Sequence, residues 1–203
     1  MSGSWQISHE SKNDKHGHIE LINHDNKFFS HLTYVDPRRF GHFYIASEDT
    51  FQEKLKSIPN DVGDESFDEN SIAENFFRHP QKVLKPYLLD QQAFPGVGNY
   101  MASEICAKAG LLPTRIVGDL SSDDILQIHH AIKDVLYGAI QTKGTTFSGG
   151  YRDANGEKGE GVKNLVVFYQ QFCQLCLKKN KKTQVIKITL AGRGTYYCPQ
   201  CQH

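Results

Sequence analysis

The sequence predicts an α+β chain, and three observations carry that prediction. Strand-like runs fill the first fifty residues, a long amphipathic stretch spans about 122–142, and a β-rich end holds four of the five cysteines. With 203 residues and 23.0 kDa there is room for one ordinary domain or two small ones. Hydrophobic residues make up 38% of the chain, with 12 Phe and 9 Tyr, which is enough for a core and argues against disorder of the whole.

Taken in order, Ile19–Ile22 and Lys27–Tyr34 carry β-branched and aromatic residues around the turn-like Asn23-His24-Asp25-Asn26, and Gly41–Ile45 reads as the next strand. These few strands make a poor sheet alone, because edges and one face lack cover. Ser57 to Asn70 is polar, with Pro, Gly and several acids, and reads as a linker or surface loop. Short helices are expected over Ser71–Arg78 and over Tyr100–Ala109, the latter closed by Gly110 with Pro113 soon after. The strongest helix runs from Ser122 to Thr142, with Ile125, Ile128, Ile132, Val135, Leu136 and Ala139 on one stripe, a Ser121–Asp124 capping pair at its start and Gly144 at its end. Five glycines among polar residues between Phe147 and Gly161 cannot build a core, and a mobile segment is expected there. No apolar run is long enough for a membrane span, as Leu165–Phe168 illustrates. The first ten residues lack the basic and apolar stretches of a secretory signal, so an intracellular setting is expected, in cytoplasm and nucleoid or in a nucleus.

Net charge is zero, yet it is unevenly spread. Seven of the 23 basic residues and none of the 23 acidic ones lie from Lys163 onward, which suggests an end that faces a polyanion; a plain solvated surface explains the charge alone equally well.

Within that end, Cys173-Gln-Leu-Cys176 and Cys198-Pro-Gln-Cys201 form two knuckles separated by 21 residues. Four thiolates at this spacing can close a tetrahedron around one Zn²⁺ and leave no open position for water, so the site is expected to be structural; iron in the same four-sulfur geometry also fits the spacing. A reducing compartment favours this over disulfides. The intervening Lys178–Thr189 suggests a hairpin with a basic tip, and Arg193 sits between Gly192 and Gly194, free to approach a phosphate. Cys106 is expected to be buried. At Gly96-Val97-Gly98-Asn99, two glycines and an amide open a helix, exposing N–H groups and a positive dipole end that favour an anion; an ordinary turn and cap explain the motif about as well.

These motifs together resemble a family. Lys85-Pro86-Tyr87-Leu88-Leu89-Asp90-Gln91, then Gly96-Val97-Gly98-Asn99, Ala102-Ser103-Glu104-Ile105 and Ala109-Gly110-Leu111-Leu112-Pro113 are similar to the helix-two-turns-helix module of the formamidopyrimidine-DNA glycosylase and endonuclease VIII family. Lys15-His16-Gly17-His18, Asp36-Pro37-Arg38-Arg39-Phe40-Gly41, Gly144-Thr145-Thr146 and Arg193-Gly194-Thr195-Tyr196-Tyr197-Cys198-Pro199-Gln200-Cys201-Gln202 follow in matching order, closer to the formamidopyrimidine branch. The resemblance implies a partial N-terminal β-sandwich over 1–56, a helix-two-turns-helix domain with its mobile glycine-rich loop over 57–162, and a β-hairpin zinc finger with four cysteine ligands over 163–203. It further implies a monomer that binds double-stranded DNA carrying an oxidised base or an abasic site, in base-excision repair of oxidised purines. Flipping the damaged nucleotide leaves a hole that side chains must fill. Met1, Arg38 and Phe40 match the wedge residues, His16 and Arg38 match DNA contacts, and Asn99 and Arg193 match the grip on the phosphate beside the lesion. Lys85 matches a further backbone contact.

The family's chemistry uses a terminal proline amine, a neighbouring glutamate and an early lysine. This chain begins Met1-Ser2-Gly3-Ser4, and on the resemblance Met1 falls inside the family pattern, about seventy residues in, an expectation that agrees with the incomplete sheet. No residue is therefore assigned to Schiff-base chemistry, Arg193 alone is a candidate in the elimination step, and the chain as given is expected to be inactive in excision. The competing expectation is a non-catalytic zinc-finger module for abasic or kinked DNA.

Overall fold

The computed structural model describes residues 3–11, 14–25, 27–147, 150 and 152–203. They form two compact units, one of residues 1–51 with 139–163 and the other of residues 52–138 with 164–203. No helix among the described residues is long and apolar enough to cross a membrane.

The first unit is built on a three-stranded antiparallel sheet in the order β1-β3-β2, with β1 at Ser4–Ser8, β2 at Gly17–Ile22 and β3 at His31–Val35. The alternation Ser-Trp-Gln-Ile-Ser was a strand signal that the sequence reading passed over. Trp5 pairs with Tyr34 across the sheet, their rings 5.2 Å apart. The strand expected from Lys27 starts only at His31, because Asn23 N–H donates to Ser30 O and closes the preceding loop. Gly41–Ile45 is not a strand. Both edges of β3 are already occupied, and Phe43, Tyr44 and Ile45 stand exposed. Within this unit the described part of the glycine-rich segment is tied down: Thr145 bridges Glu160, Gly159 N–H donates to Thr146 Oγ1, and Ile7 N–H donates to Ala154 O.

A helix absent from the sequence reading, α1, spans Glu48–Lys56; acids in its first turn and lysines in its last complement its dipole, but it buries no residue. The second unit holds α2 (Glu69–Arg78), α3 (Leu84–Tyr87) and α4 (Asn99–Lys108), and most of α5 (Ser122–Gln141). Helix α2 begins two residues earlier than expected, since Asp68 caps it in a reciprocal capping box with Ser71. The Ser121–Asp124 pair caps α5 as expected, Asp124 N–H donating to Ser121 Oγ and Ser121 N–H to Asp124 Oδ2.

Phe76, Tyr87, Phe94, Ile72, Leu84, Leu88, Ile105, Ile128 and Ile132 make the core, each worth about 1.5–3 kcal/mol on burial. Helix α4 is buried from Met101 to Ala107, Cys106 included, as expected. Gly110, at φ +74, ends it in the left-handed region that suits glycine. After α6 (Gln174–Lys178), β4 (Ile186–Leu190) and β5 (Arg193–Tyr197) form the closing hairpin. Its tip is Ala191-Gly192, at φ +46 and +73, and not the lysine run expected there. The lysines instead occupy the turn after α6, because Cys176 O accepts from both Lys179 N–H and Lys181 N–H and folds them back.

Candidate nucleic-acid interface and metal centre

In the first unit, Asp36 organises the loop that follows β3. Its carboxylate is buried and accepts from Arg38 N–H at 3.2 Å and Gly41 N–H at 2.8 Å, while its own N–H donates to His16 O at 2.9 Å. Pro37 and the left-handed Arg39, at φ +54, complete the turn. Gly41 is required there, since a Cβ would lie 1.9 Å from Tyr34 Oη. The consequence is to push Arg38 and Phe40 outward together, the guanidinium 4.6 Å from the ring centroid and Phe40 67% exposed. A cation and an exposed aromatic on a rigid turn can enter a gap between bases. His16, half-buried, touches this loop through its backbone; Met1 lies outside the described residues.

In the second unit, residues far apart in the chain meet at the start of α4. Gly98 is the N-cap, so of the two roles the sequence leaves open to Asn99 the cap is not the one taken, and Asn99 sits in the first turn. Its amide donates to Gly194 O at 3.1 Å, and its Oδ1 accepts from Lys85 Nζ at 2.5 Å. Lys85 Nζ also reaches Gly194 O at 3.5 Å. Lys85 is fully buried, and both of its oxygen partners are neutral. Burial brings its ammonium down from 10.5 to about 8; the Cys106 thiol opposes that shift and Arg193 adds to it. A buried cation without a carboxylate partner, at the positive end of a ten-residue helix, is a poised anion site. Arg193 is exposed at the first position of β5, directly before Gly194. Sequence reasoning singled out Lys85, Asn99 and Arg193 but not the carbonyl that joins them, since a glycine O carries no sequence signal.

It also missed Glu104. This side chain of α4 is 1% exposed and accepts from the N–H groups of Val166, Val167 and Phe168 at 2.6, 2.9 and 2.8 Å, fastening the segment that leads into the first knuckle. Gln202 acts likewise at the other end, accepting from Cys198 N–H and donating to Leu111 O, both at 2.7 Å. A buried acid on an apolar helix was the available signal for Glu104.

The sulfurs of Cys173, Cys176, Cys198 and Cys201 all lie within 4.8 Å of one another, with Cys173–Cys201 and Cys176–Cys198 at 3.6 Å. A tetrahedron with metal–sulfur bonds of about 2.3 Å needs sulfurs ~3.8 Å apart, so the donor set fits a four-thiolate metal ion. Such an ion would tie α6 to the strand end beyond β5. With all four positions filled by sulfur it would keep no open site for water or substrate.

Comparison with known proteins agrees with this geometry. Residues 58–149 match the family model described as the formamidopyrimidine-DNA glycosylase H2TH domain. The chain is 33% identical to the formamidopyrimidine-DNA glycosylase of Yersinia enterocolitica, over 100% of this chain and 73% of that protein. It is 34% identical to that of Ureaplasma parvum, over 98% and 70%. Among solved structures it is similar to the Lactococcus lactis Fpg in complex with abasic-site DNA, with a TM-score of 0.82 and 28% identity over 100% of this chain and 72% of that one. The MutM (Fpg) protein of Thermus thermophilus gives 0.83 and 26%, over 100% and 73%.

Proposed function

The chain belongs to the formamidopyrimidine-DNA glycosylase family, and on that premise we propose that its 203 residues grip double-stranded DNA at an oxidised or abasic nucleotide, as the DNA-holding part of base-excision repair of oxidised purines. The observation that carries this reading is the unneutralised Lys85 ammonium behind Asn99 and Arg193. A phosphate supplies the charge that this cluster lacks, with Arg193 donating from the exposed side and the α4 dipole adding to the pull. In the first unit Arg38 and Phe40 take the place of an extruded nucleotide, with His16 on the backbone beside them and Met1 as the third wedge residue.

Zn²⁺ is the metal we assign to the four cysteines. It holds the hairpin that carries Arg193 and takes no part in chemistry. The phosphate site completes itself from one chain, from Lys85 and Asn99 on one side and Gly194 on the other, which supports a monomer working inside the cell where the DNA is. No residue of the 203 is assigned to Schiff-base attack, and Arg193 remains the candidate in the elimination step.

Fluorescence anisotropy on a duplex with an abasic-site analogue tests the grip. Asn99→Ala and Arg193→Ala should each weaken binding about ten- to hundredfold, the worth of one charge-assisted hydrogen bond. Unchanged affinity in both variants removes the phosphate assignment. Borohydride trapping on an abasic duplex is expected to give no covalent adduct, and a strong adduct would place an amine nucleophile within these residues.

A further inference from the structure

Lys178, the last residue of α6, and Lys179, Lys181 and Lys182 on the turn that leaves it stand exposed, and among the described residues none of them makes an ion pair. The turn is not a loose tail. Cys176 O accepts from Lys179 N–H at 3.0 Å and from Lys181 N–H at 2.9 Å, Leu177 O accepts from Asn180 N–H at 2.9 Å, and Asn180 takes φ +55. Lys182 Nζ lies 4.6 Å from the Phe172 ring centroid, which seats its stem against the finger. Four ammonium groups are thereby held on five residues whose backbone is bonded to a cysteine of the metal cluster.

Like charges this close repel, and no Asp or Glu follows Lys163 to relieve them. Only the first can be ascribed to the α6 dipole, as the last-turn residue of that helix. A four-thiolate Zn²⁺ centre beside the turn carries a net −2 and offsets part of the four positive charges; the excess, with no carboxylate paired to it among the described residues, fits a ligand that carries regularly spaced negative charge. Lysine ammoniums are point charges that read phosphate and not base edges.

We propose that the Lys178–Lys182 turn is a second contact with the phosphate backbone of duplex DNA, separate from the Lys85–Asn99–Arg193 site and indifferent to the lesion. This rests on the DNA-holding function proposed above. It adds affinity for any duplex and steers association, while the first site and the Arg38–Phe40 wedge select the damaged nucleotide.

The test compares the zinc-loaded 203-residue protein with a variant carrying Lys178→Gln, Lys179→Gln, Lys181→Gln and Lys182→Gln, and with the matching four-arginine variant. Each is titrated onto an abasic-analogue duplex and onto an undamaged duplex, from about 50 to 300 mM KCl. Each phosphate contact contributes roughly 0.9 to the slope of log K against log salt, so the glutamine variant should lose about two to four units of slope, equally on both duplexes. The arginine variant should keep the parent's slope, showing that charge and not fold was removed. A slope within about half a unit of the parent's, or a loss confined to the damaged duplex, overturns the proposal. Parent protein that binds neither duplex would instead overturn the DNA-holding function on which it rests.

Discussion

Glu104 offers the most demanding test of how the helical module holds the finger. Its carboxylate, buried in α4, accepts three backbone N–H bonds from consecutive residues Val166, Val167 and Phe168. Burial pushes this carboxyl above the usual range, against the pull of those donors and of Lys108, so the site costs desolvation energy that the three bonds must offset. In Glu104→Gln the amide oxygen can replace Oε1 and keep Val167 and Phe168, but its NH₂ then meets Val166 N–H, donor against donor, where 2.6 Å separates them now. One unsatisfied buried N–H costs about 1–3 kcal/mol, and losing charge assistance on two further bonds adds roughly 1 kcal/mol, so about 3 kcal/mol is expected. Glu104→Ala strands all three donors and should cost about 4–6 kcal/mol, at the upper end of single-residue effects. Urea titration of the zinc-loaded protein measures both, followed by far-ultraviolet circular dichroism. A Glu104→Gln cost under about 1 kcal/mol would refute the argument, because it would mean that water or another acceptor reaches those N–H groups.

Two further outcomes follow from single residues. Lys85 is held at about 8 in the fold, against an ordinary 10.5, so the cost of keeping its ammonium buried is fully present below pH 8 and is relieved as pH rises toward 10.5; stability should therefore rise over that window. Affinity for abasic duplex should fall over the same window as the ammonium is lost, since the Cys106 thiol, pushed up to about 12 by burial, keeps its proton there. Lys85→Met should weaken binding at about pH 7 and flatten the affinity profile, and a parallel pH dependence in that variant would count against Lys85. At the hairpin tip, Ala191 occupies φ +46, where an L-residue with a Cβ loses about 1–2 kcal/mol. Ala191→Asn should stabilise the protein by about 0.5–1 kcal/mol in the same urea titration, and a lowered midpoint would refute the left-handed backbone assigned to Ala191.

What the residues disclosed in advance follows from how local each signal is. The two cysteine knuckles and the α5 stripe were readable because metal geometry and helical period are set by spacing alone. Asp-Pro-Arg-Arg-Phe-Gly was readable as a motif but not as a mechanism. Only the structure shows Asp36 bonded to Gly41 N–H and Arg38 N–H, which turns a run of residues into a platform for a cation and a ring. Helix α1 escaped because its nine residues carry only Phe51 and Leu55 one turn apart, neither of them buried, too short a stripe among polar neighbours to mark a helix. The lysine run was misplaced because a basic polar stretch between cysteines reads as a hairpin tip. Two N–H bonds to Cys176 O, invisible in composition, decide otherwise.

The ambiguity of Gly96-Val97-Gly98-Asn99 has the same origin, and its resolution bears on function. Read locally, two glycines and an amide could be an ordinary cap. In the fold Asn99 gives its amide to Gly194, 95 residues away, and its oxygen to Lys85, 14 residues before it. An amide committed on both sides cannot swing to cap α4, so the helix leaves its capping to Gly98, where a Cβ would meet nothing within 4 Å and the approach to the first turn stays open. The site thus exists only when the hairpin is docked and Gly194 O is in place. Loss of finger structure should abolish the Lys85–Asn99 geometry even though both residues lie in the helical module, whereas a motif acting through its local turn alone would survive it.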